Sequence, residues 1–150
     1  MRDRKDYSKD YYQKMKEENP DYVKQHYSAS VERMNNDPYL LAARRYSKQM
    51  SSAKTARNIP WELDKEKTIK LIAESKFCSI SGRPLVFKIG DKDVPSIDRK
   101  NSKLGYTKRN IQVSSAEVNK AKGEMSDKEF LNMCIQVVEH NGYKVTKIDQ

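Results

Sequence analysis

The chain has 150 residues, the usual length of one domain, and carries 30 Lys and Arg against 21 Asp and Glu, a formal net charge of +9. Apolar residues make up 36% and charged residues 34%, so a core of ordinary size cannot use the whole chain. The basic excess favours a polyanionic partner, either nucleic acid or an anionic membrane surface. The membrane is disfavoured because no apolar run approaches the ~20 residues that a membrane span requires.

The cellular setting is predicted from the start of the chain and from its cysteines. Residues 1–6 read Met-Arg-Asp-Arg-Lys-Asp with no apolar segment behind them, so we expect no signal peptide. The two cysteines lie 56 positions apart, and in an unsecreted chain they are expected to be reduced thiols. We therefore expect a cytoplasmic protein.

Residues 1–56 are predicted to form a helical, basic arm. Two helical runs are expected at roughly 5–17 and 29–35, each closed by a break that contains a proline, and a third run spans 40–54. Seven of the nine tyrosines lie here among Lys and Arg, which suits contact with phosphates and bases. The alternative interpretation is that the tyrosines form the thin apolar seam of marginal helices.

Residues 57–77 are predicted to lead into a second unit. Trp61 is expected in the core, and Asp64 is predicted to cap a helix whose apolar residues recur at helical spacing. Two short strands, Leu85–Ile89 and Val94–Asp98, are predicted to form a hairpin around the turn at 90–93.

A strand, loop, strand and helix are then predicted in succession. Val94–Asp98 is followed by a basic loop, a return through 111–113, and a helix whose start is predicted at Ser114, because Glu117 three places on completes a capping box. Asp98 at a strand end, Asn110 at the loop exit and Asn119 on the helix are thereby expected to converge.

The C-terminal part is predicted to be a helix on the sheet. Gly123 is expected to end the preceding helix, and Ser126 with Glu129 is a second capping box that opens a helix to about Glu139. The apolar face of this helix is expected to pack under the hairpin. Residues 143–148 are predicted to form either a last strand or a mobile tail.

The central motifs resemble those of a known family. The order Ser-x-Asp-Arg, Gly-Tyr-x-x-x-Asn-x-x-Val and Asn-x-x-Lys over residues 96–122 resembles the HNH (ββα-metal) nucleases, above all the short phage-encoded members and the nicking homing endonucleases. Asn110 and Asn119 are nine apart, as the second and third motif residues are in HNN variants. The resemblance covers residues 78–141. It implies an α+β fold, with a ββα-metal module and C-terminal helix in residues 57–150 after the arm, and a bacterial host if the gene belongs to a phage.

The resemblance also implies roles for four residues. Asp98 and Asn119 match the metal ligands, Asn110 matches the residue that orients the general base, and Arg99 stands where the family has the general-base histidine. Arginine stays protonated, so it cannot accept a proton from water, and clamping the phosphate is the role that suits it. Two oxygen ligands plus waters suit Mg²⁺, or Mn²⁺. The alternative is that Asp98 pairs with Arg99 or Lys100 and that both asparagines cap backbone groups.

The partner is expected to be nucleic acid, most simply double-stranded DNA. A basic loop and its neighbours are predicted to lie on the phosphate backbone, where each neutralised phosphate steepens the salt dependence of binding. The predicted DNA contacts are Lys100, Lys103, Lys108, Arg109, Lys120, Lys122, Arg44 and Arg45.

No structural zinc is expected. Family members with a structural zinc have Cys-x-x-Cys at this turn, whereas here Ser81 replaces the second cysteine after Cys78 and no second pair follows. Tetrahedral zinc needs four nitrogen or sulfur ligands, and this chain has two cysteines and two histidines scattered along it. Cys78 is therefore predicted to be a small buried apolar residue.

The function predicted from these observations is a metal-dependent DNA endonuclease of the phage HNH type that cuts one strand or both. Because the general-base histidine is missing, two alternatives stay open. One is a catalytically weak or inactive DNA-binding protein with the HNH fold. The other is a structural or inhibitory protein that binds a different polyanion or a nucleic-acid enzyme.

Overall fold

A computed structural model describes residues 4–147, with the backbone alone for residues 4–9. Six α-helices, one π-helical turn and a two-stranded antiparallel sheet form the regular structure of these residues, which confirms the α+β class. None of the described helices has the length and apolar character needed to cross a membrane. The elements are α1 Arg4–Glu18, α2 Pro20–Asn36, α3 Pro38–Ser51, the π-helical turn Ser52–Ala56, α4 Lys65–Glu74, β1 Pro95–Arg99, β2 Ile111–Ser115, α5 Ala116–Lys122 and α6 Asp127–His140.

The first three helices follow one another with single residues between them. Asn19 caps α2 by accepting from the Tyr22 N–H at 3.1 Å, and Asp37 caps α3 in the same way. Pro20 and Pro38 each occupy the first helical turn, where a missing N–H costs nothing. The predicted proline breaks are therefore helix starts, and α2 begins at Pro20 instead of near residue 29.

The core begins at α3. The structure describes every residue of α2, and none is buried, whereas α3 buries Leu41, Ala42 and Tyr46 and packs against α4 and β1. The last helix of the predicted arm thus contributes to the same core as the strands. The buried cluster consists of Ala42, Tyr46, Ala53, Leu63, Ile72, Cys78, Leu85, Ile97, Tyr106, Ile111, Val113 and Val118.

The hairpin forms between β1 and β2, and the prediction of a strand at Leu85–Ile89 is wrong. β1 pairs with β2 along all five residues, with Asp98 opposite Gln112. In the earlier segment the Lys88 N–H donates to the carbonyl of Val86 two residues before it, a tight turn that interrupts any strand ladder. The two strands are therefore connected by the basic loop 100–110 and not by the turn at 90–93, and together with α5 they form a ββα unit.

The helix caps were predicted with one error. The N-cap of α5 is Ser115, whose side chain accepts from the Val118 N–H, and not Ser114. Strand pairing extends to Ser115, opposite Pro95, which keeps Ser114 inside β2. The Asp64 cap of α4, the Gly123 end of α5 and the Ser126 capping box of α6 are confirmed.

The apolar face of α6 does not pack under the hairpin, so that prediction is wrong. No residue of α6, all of which the structure describes, is buried, and Leu131 is 59% exposed. Phe130, in its first turn, packs against the core. Helices α3, α4 and α5 already pack against the strands, and two strands of five residues offer little area for another helix. Residues 143–147 have no regular structure, and residue 148 lies outside the described residues.

Candidate functional site

A cleft of about 1250 Å³ is bordered by residues of α3 and of the segment 57–60 on one side and by the strand, loop and helix of the ββα unit on the other. Three of the four predicted catalytic residues line this cleft: Asp98, Arg99 and Asn119. Three cations predicted to contact DNA also line it, and they come from separate parts of the chain. They are Arg45, Lys103 and Lys120.

Asp98 lies at the end of β1 and is 3% exposed. Its Oδ2 accepts from Gln112 Nε2 at 2.9 Å, across the strand pair, and its Oδ1 accepts from Lys122 Nζ at 3.2 Å. Burial raises the pKa of Asp98 above its usual value, and the hydrogen bond from Gln112 and the charge of Lys122 oppose this effect. The carboxylate is thus held in a fixed orientation at the wall of the cleft.

Lys122 is the ion-pair partner of Asp98. Its side chain is fully buried, and Nζ also donates to the Arg99 carbonyl at 2.7 Å and lies 3.6 Å from Asp127 Oδ1. The prediction that Lys122 contacts DNA is therefore wrong, because its ammonium does not reach the surface. The alternative that Asp98 pairs with Arg99 or Lys100 also fails, since its cationic partner comes from α5.

The sequence motifs did not point to two residues of this network, Gln112 and Asp127. Gln112 Nε2 donates to Asp98 Oδ2 and to both carboxylate oxygens of Asp127, at 2.9 and 3.0 Å, so it bridges the two acids. Gln112 faces Asp98 because the two residues are paired in the strand register. If the strand register were known from the sequence, it would identify Gln112 as the neighbour of Asp98. The register is not evident from the sequence, because it depends on how the loop 100–110 closes.

Asn119 is positioned to offer an oxygen to the cleft. Its Nδ2 donates to Ser96 Oγ at 2.8 Å and to the Ile97 carbonyl at 3.3 Å. These contacts define the amide orientation, and Oδ1 has no hydrogen-bond partner among the residues that the structure describes. Asn119 therefore combines an anchored amide nitrogen with an available neutral oxygen.

The donors of the cleft fit a divalent ion of the magnesium class that keeps several waters. Each carboxylate oxygen of Asp98 accepts one hydrogen bond and retains a second lone pair, and Asn119 retains Oδ1. Oxygen donors of this kind are those that Mg²⁺ prefers. Within residues 10–147 no group of three or more His, Cys, Asp or Glu side chains is placed to hold a metal, so the protein would contribute two ligands and water the rest.

Asn110 closes the basic loop and does not line the cleft. It is 7% exposed, its Oδ1 accepts from the Asn101 N–H, and its Nδ2 donates to the carbonyls of Asn101 and Gly105. Every one of these contacts is to the backbone, as the capping alternative expects for this residue. Asn110 thus shapes the loop that carries Arg99 and Lys103.

Arg99 is half-buried and is restrained by the same loop. Its Nη1 donates to the carbonyls of Ser102 and Leu104, and its guanidinium carbon lies 5.2 Å from the ring centroid of Tyr106. Within the described residues the hydrogen bonds of this guanidinium involve Nη1 alone, which leaves Nη2 and Nε as donors for a ligand. Arg99 is therefore a fixed cation at the edge of the cleft.

The other predicted DNA contacts differ in exposure. Arg45 is half-buried, its Nε donates to the Pro95 carbonyl at 2.7 Å, and burial, followed by the charge of Arg44, lowers its pKa. The remaining six are all exposed at the surface, where they can approach a phosphate backbone, and their role stays a prediction. They are Arg44, Lys100, Lys103, Lys108, Arg109 and Lys120.

The protein is predicted to fold without zinc. Cys78 is 1% exposed, as expected, and its sulfur accepts from the Ser81 N–H at 3.5 Å. We expect elemental analysis of the purified protein to find far less than one zinc per chain, and the melting temperature to be the same with and without EDTA. A stoichiometric zinc whose removal lowers the melting temperature would contradict this prediction.

Comparisons of the chain with protein-family models, with curated proteins and with solved structures found no match. The likeness to the HNH nucleases therefore depends on the motif residues of this chain.

Proposed function

We propose that this protein is a DNA endonuclease that hydrolyses a phosphodiester bond in the cleft with the help of Mg²⁺ or Mn²⁺. The observation that carries the proposal is the convergence of Asp98, Arg99 and Asn119 on one cleft, although Asp98 and Asn119 lie 21 positions apart in the sequence. These residues supply a carboxylate, a cation and a neutral oxygen. The surrounding cations make the cleft suitable for a phosphate backbone.

The carboxylate favours an enzyme over a protein that only binds DNA. A negative charge in a cleft that binds phosphate repels the ligand, and burying Asp98 at 3% exposure carries a desolvation cost. A neutral side chain at this position would bind phosphate better. A bound divalent ion would change the local charge from negative to positive, so a carboxylate that holds such an ion is compatible with phosphate binding.

The residues of the site divide the work in the following way. When bound, the divalent ion supplies Lewis acidity and lowers the pKa of a coordinated water. Asp98 and the Oδ1 of Asn119 would hold the ion, and Gln112 and Lys122 keep the carboxylate in place. The free donors of Arg99 would bind the phosphate oxygens as negative charge develops in the transition state.

A specific observation favours a second candidate, a DNA-binding protein with the same fold and little or no catalysis. The Lys122 ammonium lies 3.2 Å from Asp98 Oδ1 and is fully buried, so a fixed positive charge already neutralises the carboxylate. A divalent ion at Asp98 would be repelled by this neighbour. The missing general-base histidine favours the same candidate.

Incubation of supercoiled plasmid with the purified protein in Mg²⁺, Mn²⁺ or EDTA tests the proposal. We expect conversion to open circles or linear molecules with either metal and none in EDTA, and the ratio of the two products separates nicking from double-strand cutting. Single-stranded DNA and RNA of matched sequence serve as further substrates. Binding to plasmid without cutting of any substrate would leave the DNA-binding candidate.

The helices α1 and α2 are predicted to contribute affinity and not chemistry. Because α3 belongs to the core, the informative deletion removes residues 1–36 and keeps Leu41, Ala42 and Tyr46. We expect weaker DNA binding and a salt slope lower by about 0.9 for each phosphate that the deleted helices neutralise, with metal-dependent cutting retained at high protein concentration. Binding is measured by fluorescence anisotropy at several salt concentrations, and a cooperative thermal melt checks that the remaining chain is folded. Unchanged affinity at moderate salt would show that the deleted helices do not contact DNA.

A further inference from the structure

The segment that leaves the π-helical turn is joined firmly to the basic loop. The Tyr106 N–H donates to the Pro60 carbonyl at 2.8 Å, and the Glu62 N–H donates to the Tyr106 carbonyl at 2.9 Å. Gly105 is required at this crossing, because a Cβ there would lie 2.8 Å from the Pro60 oxygen. Residues on the two sides of the cleft are therefore held at a defined separation.

Tyr106 is placed in this junction with an unused donor. The residue is 2% exposed, and its ring packs against Trp61 with 4.6 Å between the centroids. Its hydroxyl oxygen accepts from Gln49 Nε2 at 2.6 Å and from Arg57 Nη2 at 3.1 Å. Both lone pairs are thus occupied, and the O–H proton has no acceptor among residues 10–147. Since Tyr106 lines the cleft, this donor is available to a ligand there.

Two guanidinium groups lie beside the same ring. The guanidinium carbon of Arg57 lies 5.9 Å from the Tyr106 centroid and that of Arg99 lies 5.2 Å from it. Both arginines line the cleft, and neither forms a salt bridge with a carboxylate within the described part of the chain. An anion bound beside this ring would be attracted by both cations.

We propose that Arg57 and the Tyr106 hydroxyl form a phosphate-binding subsite in the cleft, with Arg99 bordering both this subsite and Asp98. Its ligand is a phosphate of the nucleic-acid backbone other than the one at Asp98, so the inference rests on the proposed function for the identity of the ligand. A guanidinium fork and an O–H donor match the oxygens of a phosphodiester. The subsite would hold the strand in register with the carboxylate.

Binding measured in EDTA tests the subsite separately from cleavage. Anisotropy of a fluorescein-labelled duplex is compared for wild type, Arg57→Met, Tyr106→Phe and Lys67→Met, the last of which removes one exposed positive charge on α4 away from the cleft. Arg57→Met is expected to weaken binding about tenfold and to lower the salt slope by about 0.9. Tyr106→Phe keeps the ring and is expected to weaken binding about threefold, and Lys67→Met is expected to change it less than twofold.

Pyrophosphate provides a second readout that does not depend on DNA. It is expected to raise the melting temperature of the wild type and of Lys67→Met, and to have a much smaller effect on Arg57→Met and Tyr106→Phe. Equal losses of DNA affinity in Arg57→Met and Lys67→Met would overturn the subsite, as would variants that melt earlier but still respond to pyrophosphate. If Arg57→Met does not fold, the DNA affinity and the pyrophosphate response of Tyr106→Phe test the subsite instead. If the variants lose DNA affinity in EDTA as expected while plasmid stays uncut with Mg²⁺, the nuclease is refuted and the phosphate-binding subsite is supported.

Discussion

Asp98→Asn is expected to reduce metal-dependent plasmid cleavage by roughly 10³-fold or more while leaving DNA binding unchanged or stronger. The change removes the only carboxylate among the predicted site residues, and a lost ion ligand costs several kcal/mol of transition-state stabilisation. Binding is retained because the replacement removes a negative charge from a cleft that faces phosphate. Asparagine has the size of aspartate, so the shape of this buried position is kept, and a thermal melt checks that the variant stays folded although Lys122 loses its partner. Plasmid cleavage in Mg²⁺ and duplex binding in EDTA measure the two effects.

Asp127→Asn is the matched control for this change. Asp127 accepts from the same Gln112 amide and lies near the same ammonium, but it does not line the cleft. We expect this variant to retain cleavage to within about tenfold, as indirect effects on an ion ligand usually allow. Cleavage by Asp98→Asn at the wild-type rate would refute the role of Asp98 as an ion ligand. The cleavage would then come from another site on the protein or from a contaminating nuclease.

Lys122→Met is expected to lower the free energy of unfolding at pH 7 by about 3–5 kcal/mol, because removal of one partner leaves the other charge buried without compensation. Asp98 is 3% exposed, and Lys122 is its only cationic partner within the described residues. For a chain of this length the change corresponds to a melting temperature lower by about 10 °C. Urea denaturation followed by circular dichroism measures the difference.

The destabilisation of Lys122→Met is expected to depend on pH. Burial already raises the pKa of Asp98, and loss of Lys122 removes a group that opposes this rise, so the pKa increases further. An acid whose pKa is higher in the folded than in the unfolded chain favours folding when protonated, and this stabilisation is lost as the pH rises through the folded pKa. The deficit of Lys122→Met relative to the wild type should therefore shrink when the pH falls from about 7 to about 5.

The double variant Asp98→Asn with Lys122→Met separates charge from packing. It carries neither member of the buried pair, so it should recover much of the stability that Lys122→Met loses, and its stability should vary less with pH. A deficit of Lys122→Met that is the same at both pH values, together with a double variant as unstable as the single one, would contradict the ion-pair explanation. The missing packing of the lysine side chain would then account for the effect.

Local features of this protein follow from short stretches of sequence. The helix start at Asp64, the capping box of Ser126 and Glu129, and the end of α5 at Gly123 were predicted, because caps depend on hydrogen bonds within three or four residues of the chain. The succession of strand, loop, strand and helix over residues 95–122 was also predicted. It is this succession that brings Asp98 and Asn119 to one cleft.

Which side chains contact one another at the site was decided by the tertiary structure. Lysine is usually exposed at the surface, so the sequence indicates a surface cation at Lys122. Only the direction of α5 across the strand end buries this side chain against Asp98. The pairing of Gln112 with Asp98 depends on a strand register that loop closure determines, and Arg57 reaches Tyr106 only because Gly105 lets the two segments approach. In each case the contact joins residues far apart in sequence, and its free energy depends on burial and geometry that no local pattern encodes. The exposed face of α6 has the same cause, since the periodicity of a helix indicates an apolar side but not whether a surface exists to cover it.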